Sequence, residues 1–191
     1  HECSSAASDV YKRQPAILHL DESALDEPTL AINNANAEIR GVVGLMERVV
    51  GSMVKPFIEG ADQKDVEDSS VDFQDGMDQR IEKISFLNQS ISDYLIKTSR
   101  SELSEDQTKE VYSLVSCTNY LDSMNNIVKM RFGAMLKNLN KDSKALSNDS
   151  QNEVLLYHKK MIKQLKRLNK FFEKFDRTKA EKIVQKMAKN K

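Results

Sequence analysis

The feature that most constrains the fold is one long helical stretch, residues 111–139. Apolar side chains recur there at alternating spacings of three and four, the period of one face of an α-helix, and a single polar residue, Asn125, lies in the middle. A helix this long cannot bury such a seam alone, so the sequence predicts a central helix against which others pack. The seam comprises Val111, Leu114, Thr118, Leu121, Asn125, Val128, Phe132, Met135 and Leu139.

Composition favours an all-α fold. The chain of 191 residues is 30% charged and holds only six Gly and three Pro, too few for a turn-rich β fold. No apolar run approaches the roughly 18–20 residues that a membrane span needs. The formal net charge of zero hides an asymmetry, because residues 158–191 carry 13 basic and three acidic side chains, a net of 13 − 3 = +10. Such a split indicates either pairing with an acidic part of the chain or contact with an anionic partner.

Five helices are predicted along the chain. Residues 1–14 are excluded because DVYKRQ resembles a translated sequencing adapter, and residues 15–28 are predicted to be an extended entry linker. The helices are expected from Pro28 to Pro56, from Phe73 to Ser99, from a capping box formed by Ser104 and Gln107, from about residue 153 to 175, and from Thr178 to Ala188.

Several of these segments resemble a known family. Residues 20–46 (LDESALDEPTLAINNANAEIRGVVGLM) are similar to the entry of the PhoU-like cytosolic domain of bacterial Na⁺/phosphate cotransporter family proteins. Residues 77–98 (MDQRIEKISFLNQSISDYLIKT) resemble the second helix of that domain, and residues 103–107 (LSEDQ) resemble its helix-opening turn. Residues 120–128 (YLDSMNNIV) fall on the family signature DLERIGDHA.

The resemblance implies a fold and an organisation. The family folds as two antiparallel three-helix bundles, so we expect one complete three-helix unit over residues 29–140 and a partial second unit over 141–191. The sixth helix is not found in this sequence, and the chain looks clipped at both ends. The signature also carries metal-binding acids, of which Asp122 occupies the first position and Asn126 the second. An amide at the second position weakens a site for a hard divalent cation, which prefers anionic oxygen.

Two pairs of side chains are candidate metal ligands. Asp122 and Asn126 stand one helical turn apart, as do Asp78 and Glu82 on the second helix, which could add carboxylates if the bundle brings the helices together. The alternatives are a hydrogen-bonded polar flank for the first pair and a solvated acidic face for the second.

Other residues have structural or electrostatic interpretations. Asn125 is predicted to set helix register, and His158 to be a hydrogen-bonded boundary residue. The basic C-terminal helices offer a possible contact with anionic lipid, with a solvated basic face as the alternative. Nucleic acid is not expected, because aromatic residues do not alternate with the basic ones. The residues of this candidate surface are Lys159, Lys163, Lys166, Arg167 and Lys170.

The expected function is regulatory. The resemblance implies a non-catalytic domain at the cytoplasmic face of the plasma membrane, contacting the membrane part of a Na⁺/phosphate cotransporter through helices, with a divalent metal ion and a homodimer as further possibilities. The alternatives are a freestanding PhoU-type phosphate-signalling protein and a general helical scaffold. No nucleophile–base pair supports an enzyme.

Overall fold

The computed structural model describes residues 16–58, 73–142, 147–173 and 185, and within them every regular element is helical. Four long helices account for nearly all of the described part, which confirms the predicted all-α class. A 3₁₀ helix precedes them, and a short helix, Lys55–Ile58, follows the first. The long helices are α1 (Pro28–Met53), α2 (Phe73–Thr98), α3 (Glu105–Asp142) and α4 (Asn148–Glu173). None of the helices within these ranges is both long and apolar enough to cross a membrane.

Contacts between the helices give an up-and-down arrangement. The Phe73 and Phe132 rings meet edge to face with centroids 6.3 Å apart, and Asn125 bonds to the Ile81 carbonyl, so α2 and α3 run antiparallel. His158 Nε2 lies 2.9 Å from the Val50 carbonyl, and Arg40 bonds to Asn169 farther along, so α4 runs antiparallel to α1. The chain therefore forms an antiparallel helical bundle.

The helix at the centre of the bundle is α1, which corrects the expectation that the 111–139 seam would be central. Helix α1 packs against α2, α3 and α4, whereas α3 packs against α1 and α2. The reason is that α1 carries small and apolar side chains around a wider arc, with buried pairs such as Val42–Val43 and Val49–Val50, while the α3 seam covers one side only. A helix must be apolar over more than one face to touch three neighbours.

Some predicted boundaries need correction. Helix α1 ends at Met53, and Pro56 lies inside the short helix Lys55–Ile58 instead of ending the first helix. Proline is tolerated in a first helical turn because the amide hydrogen that it lacks has no intrahelical partner there. The entry linker, predicted to be extended, contains the 3₁₀ helix Glu22–Asp26. The Ser104 capping box is confirmed: Ser104 Oγ accepts from the Gln107 N–H at 3.2 Å, and Gln107 Oε1 accepts from the Ser104 N–H at 2.9 Å.

The apolar seam of α3 is shorter than predicted, and α4 buries few side chains. On α3 the seam is buried as far as Phe132, but Met135 is 49% exposed, and the side chain of Leu139 lies outside the described residues. On α4 only Leu165 and Phe172 are buried, because this helix has one main neighbour. Both join the core formed by α1, α2 and α3, so the described part of 141–191 shares that core. The predicted unit boundary near residue 140 and the fifth helix involve residues outside the described ranges and stay predictions.

Candidate functional site

The signature pair on α3 is arranged as a hydrogen-bonded couple. Asn126 Nδ2 donates to Asp122 Oδ2 at 2.9 Å, one turn apart, with Asn126 exposed and Asp122 half-buried. This contact uses the amide nitrogen, which cannot ligate a cation, although rotation of the amide would present its oxygen. The geometry is that of the polar-flank alternative, and metal binding here stays a prediction.

The second predicted pair lies on an exposed surface of α2. Asp78 and Glu82 are both exposed, and Asp78 Oδ1 accepts from Gln74 Nε2 at 3.0 Å. Within the described residues, no three His, Cys, Asp or Glu side chains come together in a group able to hold a metal ion. The structure therefore gives Asp122 and Asn126 no third ligand from those residue types in the part of the chain that it describes.

Asn125 links α2 to α3 in the core. Its side chain is fully buried, and its Nδ2 donates to the Ile81 carbonyl and to Ser85 Oγ, both at 2.9 Å. These two contacts hold one turn of α3 opposite one turn of α2, which is the geometry that a register-setting residue requires. The structure therefore gives Asn125 the hydrogen-bond partners that a register-setting role needs. Whether Asn125 selects the helix register stays a prediction.

The predicted basic residues form one outward face of α4, which we call the lysine stripe: Lys159, Lys163, Lys166 and Lys170. Spacings of four, three and four place the four side chains along one line of the helix, and all four are exposed. Lys166 Nζ lies 4.0 Å from Glu47, and Arg167, beside the stripe, bonds to Gln164. The sequence from 154 to 172 contains no acid, so the stripe has no opposing charge on its own helix there.

His158 and Cys117 have structural surroundings. The hydrogen bond of His158 to the Val50 carbonyl confirms the predicted boundary histidine. Cys117 is a free, half-buried thiol, and burial raises its pKa to about 11. A thiol with a raised pKa holds little reactive thiolate near neutral pH, which is the opposite of an activated nucleophile.

Sequence reasoning missed a polar cleft of about 650 Å³ beside α1. Its walls include Arg40, which forms a 3.2 Å ion pair with Glu173, and Asn36, which lies 3.5 Å from Glu110 Oε1. The nearest sequence signal is the polar run around Asn33–Asn36 inside an apolar helix. The lining residues are His19, Asn33, Asn36, Ala37, Arg40, Gly41, Asn169, Phe172 and Glu173.

Glu38 was missed as well. The residue is 2% exposed, and its carboxylate accepts hydrogen bonds from the backbone N–H groups of Leu18 at 3.1 Å and His19 at 2.7 Å. A buried carboxylate needs such donors, because an unpaired buried charge is costly. Glu38 therefore clasps the entry segment against α1. The available signal was a lone acid within the apolar pattern between Ala35 and Ile39.

Comparisons of the chain with protein-family models, with curated proteins and with solved structures found no match. The resemblance to the PhoU-like domain therefore rests on the residues quoted above and stays a prediction.

Proposed function

We propose that this chain is a non-catalytic, PhoU-like regulatory domain of a Na⁺/phosphate cotransporter, held at the cytoplasmic face of the plasma membrane and acting through helix–helix contacts. The lysine stripe carries the proposal. Four exposed lysines lie on one line of α4, a pattern suited to the anionic headgroups of the cytoplasmic leaflet.

The stripe favours a lipid surface because its charges are spread evenly over three turns. A lysine ammonium close to an anionic bilayer contributes on the order of 1 kcal/mol, and its long aliphatic stem lets the charge reach the headgroups. The four lysines together are sufficient for a weak, salt-sensitive contact. Such a contact suits a domain that a covalent link already keeps near the membrane.

Vesicle co-sedimentation tests the lipid contact. The full chain should sediment with phosphatidylserine-containing vesicles at low salt, and it should sediment less at high salt and with phosphatidylcholine alone. Replacing all four stripe lysines by Gln should strongly reduce sedimentation. The matched control replaces Lys83, Lys97, Lys109 and Lys129 by Gln, which removes the same charge elsewhere and should leave binding nearly unchanged. Equal loss of vesicle binding in both variants would show that the contact depends on net charge alone and would contradict the proposal.

Phosphate uptake tests the regulatory role. In cells expressing the complete gene, the stripe variant should change the dependence of phosphate uptake on phosphate supply, while the amount of transporter stays constant. Unchanged uptake would argue against regulation through this face. The coding sequence upstream of Leu20 separates the cotransporter domain from the freestanding PhoU-type alternative, because only the former is preceded by membrane spans.

A further inference from the structure

The polar cleft beside α1 lies where three parts of the chain meet. Its volume is about 650 Å³, and its walls come from α1, from the end of α4 and from His19 in the entry segment. This volume is within the range of small-molecule sites in proteins. None of the residues that line the cleft belongs to the lysine stripe. The cleft is therefore separate from the surface that carries the proposed function.

One buried side chain of the cleft has an unpaired polar atom. Asn36 is 8% exposed, and the other polar residues that line the cleft are more accessible. Its Nδ2 lies 3.5 Å from Glu110 Oε1, but its Oδ1 has no hydrogen-bond partner among the described residues. A buried amide oxygen without a donor is costly, so a ligand that brings an N–H group to Asn36 would stabilise the site.

A pair of opposite charges lies one helical turn from Asn36. Arg40 follows Asn36 by four residues on α1, which puts the two side chains on one face with their Cβ atoms about 6 Å apart. Arg40 forms the 3.2 Å ion pair with Glu173, and these two side chains are 46% and 57% exposed. An ion pair this exposed is weak, so it can open towards a ligand at little cost. The cleft thus offers a cation and an anion side by side.

We propose that the cleft binds a free α-amino acid whose side chain carries an N–H donor, with L-glutamine as the best match. The α-carboxylate accepts from the Arg40 guanidinium, the ammonium group donates to Glu173, and the side-chain amide donates to Asn36 Oδ1. The extended glutamine side chain spans about one helical turn, the separation of Asn36 from Arg40. An inorganic anion such as phosphate fits less well, because Glu173 repels it.

A ligand held in this way joins two helices. Asn36 and Arg40 belong to α1, whereas Glu173 is the last residue of α4. A ligand that binds only when α4 is packed on α1 lowers the population of the opened state by the factor 1 + [L]/Kd. Glutamine at ten times its dissociation constant should therefore slow the exchange of α4 amides through local opening about tenfold.

Isothermal titration calorimetry of the full chain with L-glutamine tests the ligand. Binding should be saturable, with a dissociation constant on the order of 0.1 mM. L-Norleucine has the same head group and an apolar side chain, and it should bind at least tenfold more weakly. Glutaramate, which is glutamine without its ammonium group, should also bind more weakly. Equal affinities for the three compounds, or no binding of glutamine at millimolar concentration, would overturn the proposal.

Two glycine substitutions test the location of the site. Gly41 lines the cleft, and a Cβ added there meets no neighbouring heavy atom within 4 Å, so Gly41→Leu should fill part of the cleft and keep the fold. Gly133→Leu is the matched control, because Gly133 on α3 is equally open and lies outside the cleft. Gly41→Leu should weaken glutamine binding at least tenfold, and Gly133→Leu should bind as the wild type does. Equal binding by the two variants would overturn the proposal.

Hydrogen exchange tests the link between α1 and α4. Glutamine should slow the exchange of α4 amides in the wild-type chain and in Gly133→Leu. It should have at least tenfold less effect at the same concentration in Asn36→Ala, which lacks the amide acceptor. A wild-type chain that binds glutamine without any change in α4 exchange would show that the amino acid binds elsewhere and would contradict the proposed site.

Discussion

Two of the buried asparagine side chains, Asn88 and Asn125, differ in how their amides are hydrogen bonded. Asn125 donates to Ile81 and Ser85, whereas Asn88, which is 3% exposed, has no hydrogen-bond partner for either amide atom among the described residues. Burying an amide without partners costs free energy, whereas a bonded amide recovers much of that cost. Substitutions at these two positions can therefore separate the cost of a buried amide to the stability of the fold from its contribution to the register of the helices.

The first prediction concerns Asn88. Replacing Asn88 by Leu, a side chain of similar size, should raise the free energy of unfolding by about 1 kcal/mol, because it removes an unpaired polar group from the core. Urea unfolding followed by circular dichroism measures the change. Asn125→Leu is the matched comparison and should gain less, since it also loses two hydrogen bonds. If Asn88→Leu is instead destabilising, the Asn88 amide is hydrogen bonded in solution and the prediction is wrong.

Spacing along a single helix predicted where polar residues lie relative to its apolar stripe, but not the partners that they have on other helices. Asn125 was placed in the seam by spacing alone, and His158 by its position beside an apolar stripe. Glu38, Asn36 and Arg40 could not be predicted, because their roles depend on partners 19 or more residues away, such as Leu18 and Glu110. The spacing of residues along one helix does not show which backbone or side-chain groups of another element will pack beside them.

At the level of elements, α3 begins at a capping box that also joins two helices. Gln107 bonds to Ser104 and, through Nε2, to Thr29 Oγ1 at 3.1 Å, next to the start of α1. Helix starts were predictable because capping is a local interaction. The central position of α1 was not, because it depends on how many faces of each helix find a neighbour.

The second prediction concerns this cap. Ser104→Ala should lower the free energy of unfolding by about 1 kcal/mol, because the Gln107 N–H loses its acceptor. Ser113→Ala is the matched control within α3. Its exposed hydroxyl bonds back to the Lys109 carbonyl, so this change should be neutral or slightly stabilising. Thermal unfolding of both variants tests this difference. Similar melting temperatures would show that the capping box contributes nothing to the stability of the fold.

At the scale of the whole molecule, α4 is the least embedded helix. It packs mainly against α1 and buries only Leu165 and Phe172, whereas α1, α2 and α3 contact one another. Local opening proceeds from the elements with fewest buried contacts. The bundle should therefore separate α4 from the other three helices before it unfolds completely.

The third prediction follows from this hierarchy. Native-state hydrogen exchange should show α4 amides exchanging through an opening of lower free energy than the amides of α1 and α2. Phe172→Ala should accelerate α4 exchange more than tenfold and leave the middle of α2 nearly unchanged. Phe132→Ala, which empties the contact between α2 and α3, should instead accelerate exchange in all four helices. Uniform exchange in the wild-type chain would mean that the bundle opens as one unit.

The clasp at Glu38 has a mechanical consequence. Leu18 and His19 donate two backbone hydrogen bonds to the Glu38 carboxylate, and Glu38 belongs to the helix that contacts the other three long helices. A force on the entry segment would therefore act directly on α1, the central helix of the bundle, and would not be absorbed by a flexible linker. Displacement of the chain before the entry segment would shift or tilt α1, and the helices packed against it, α2, α3 and α4, would move with it.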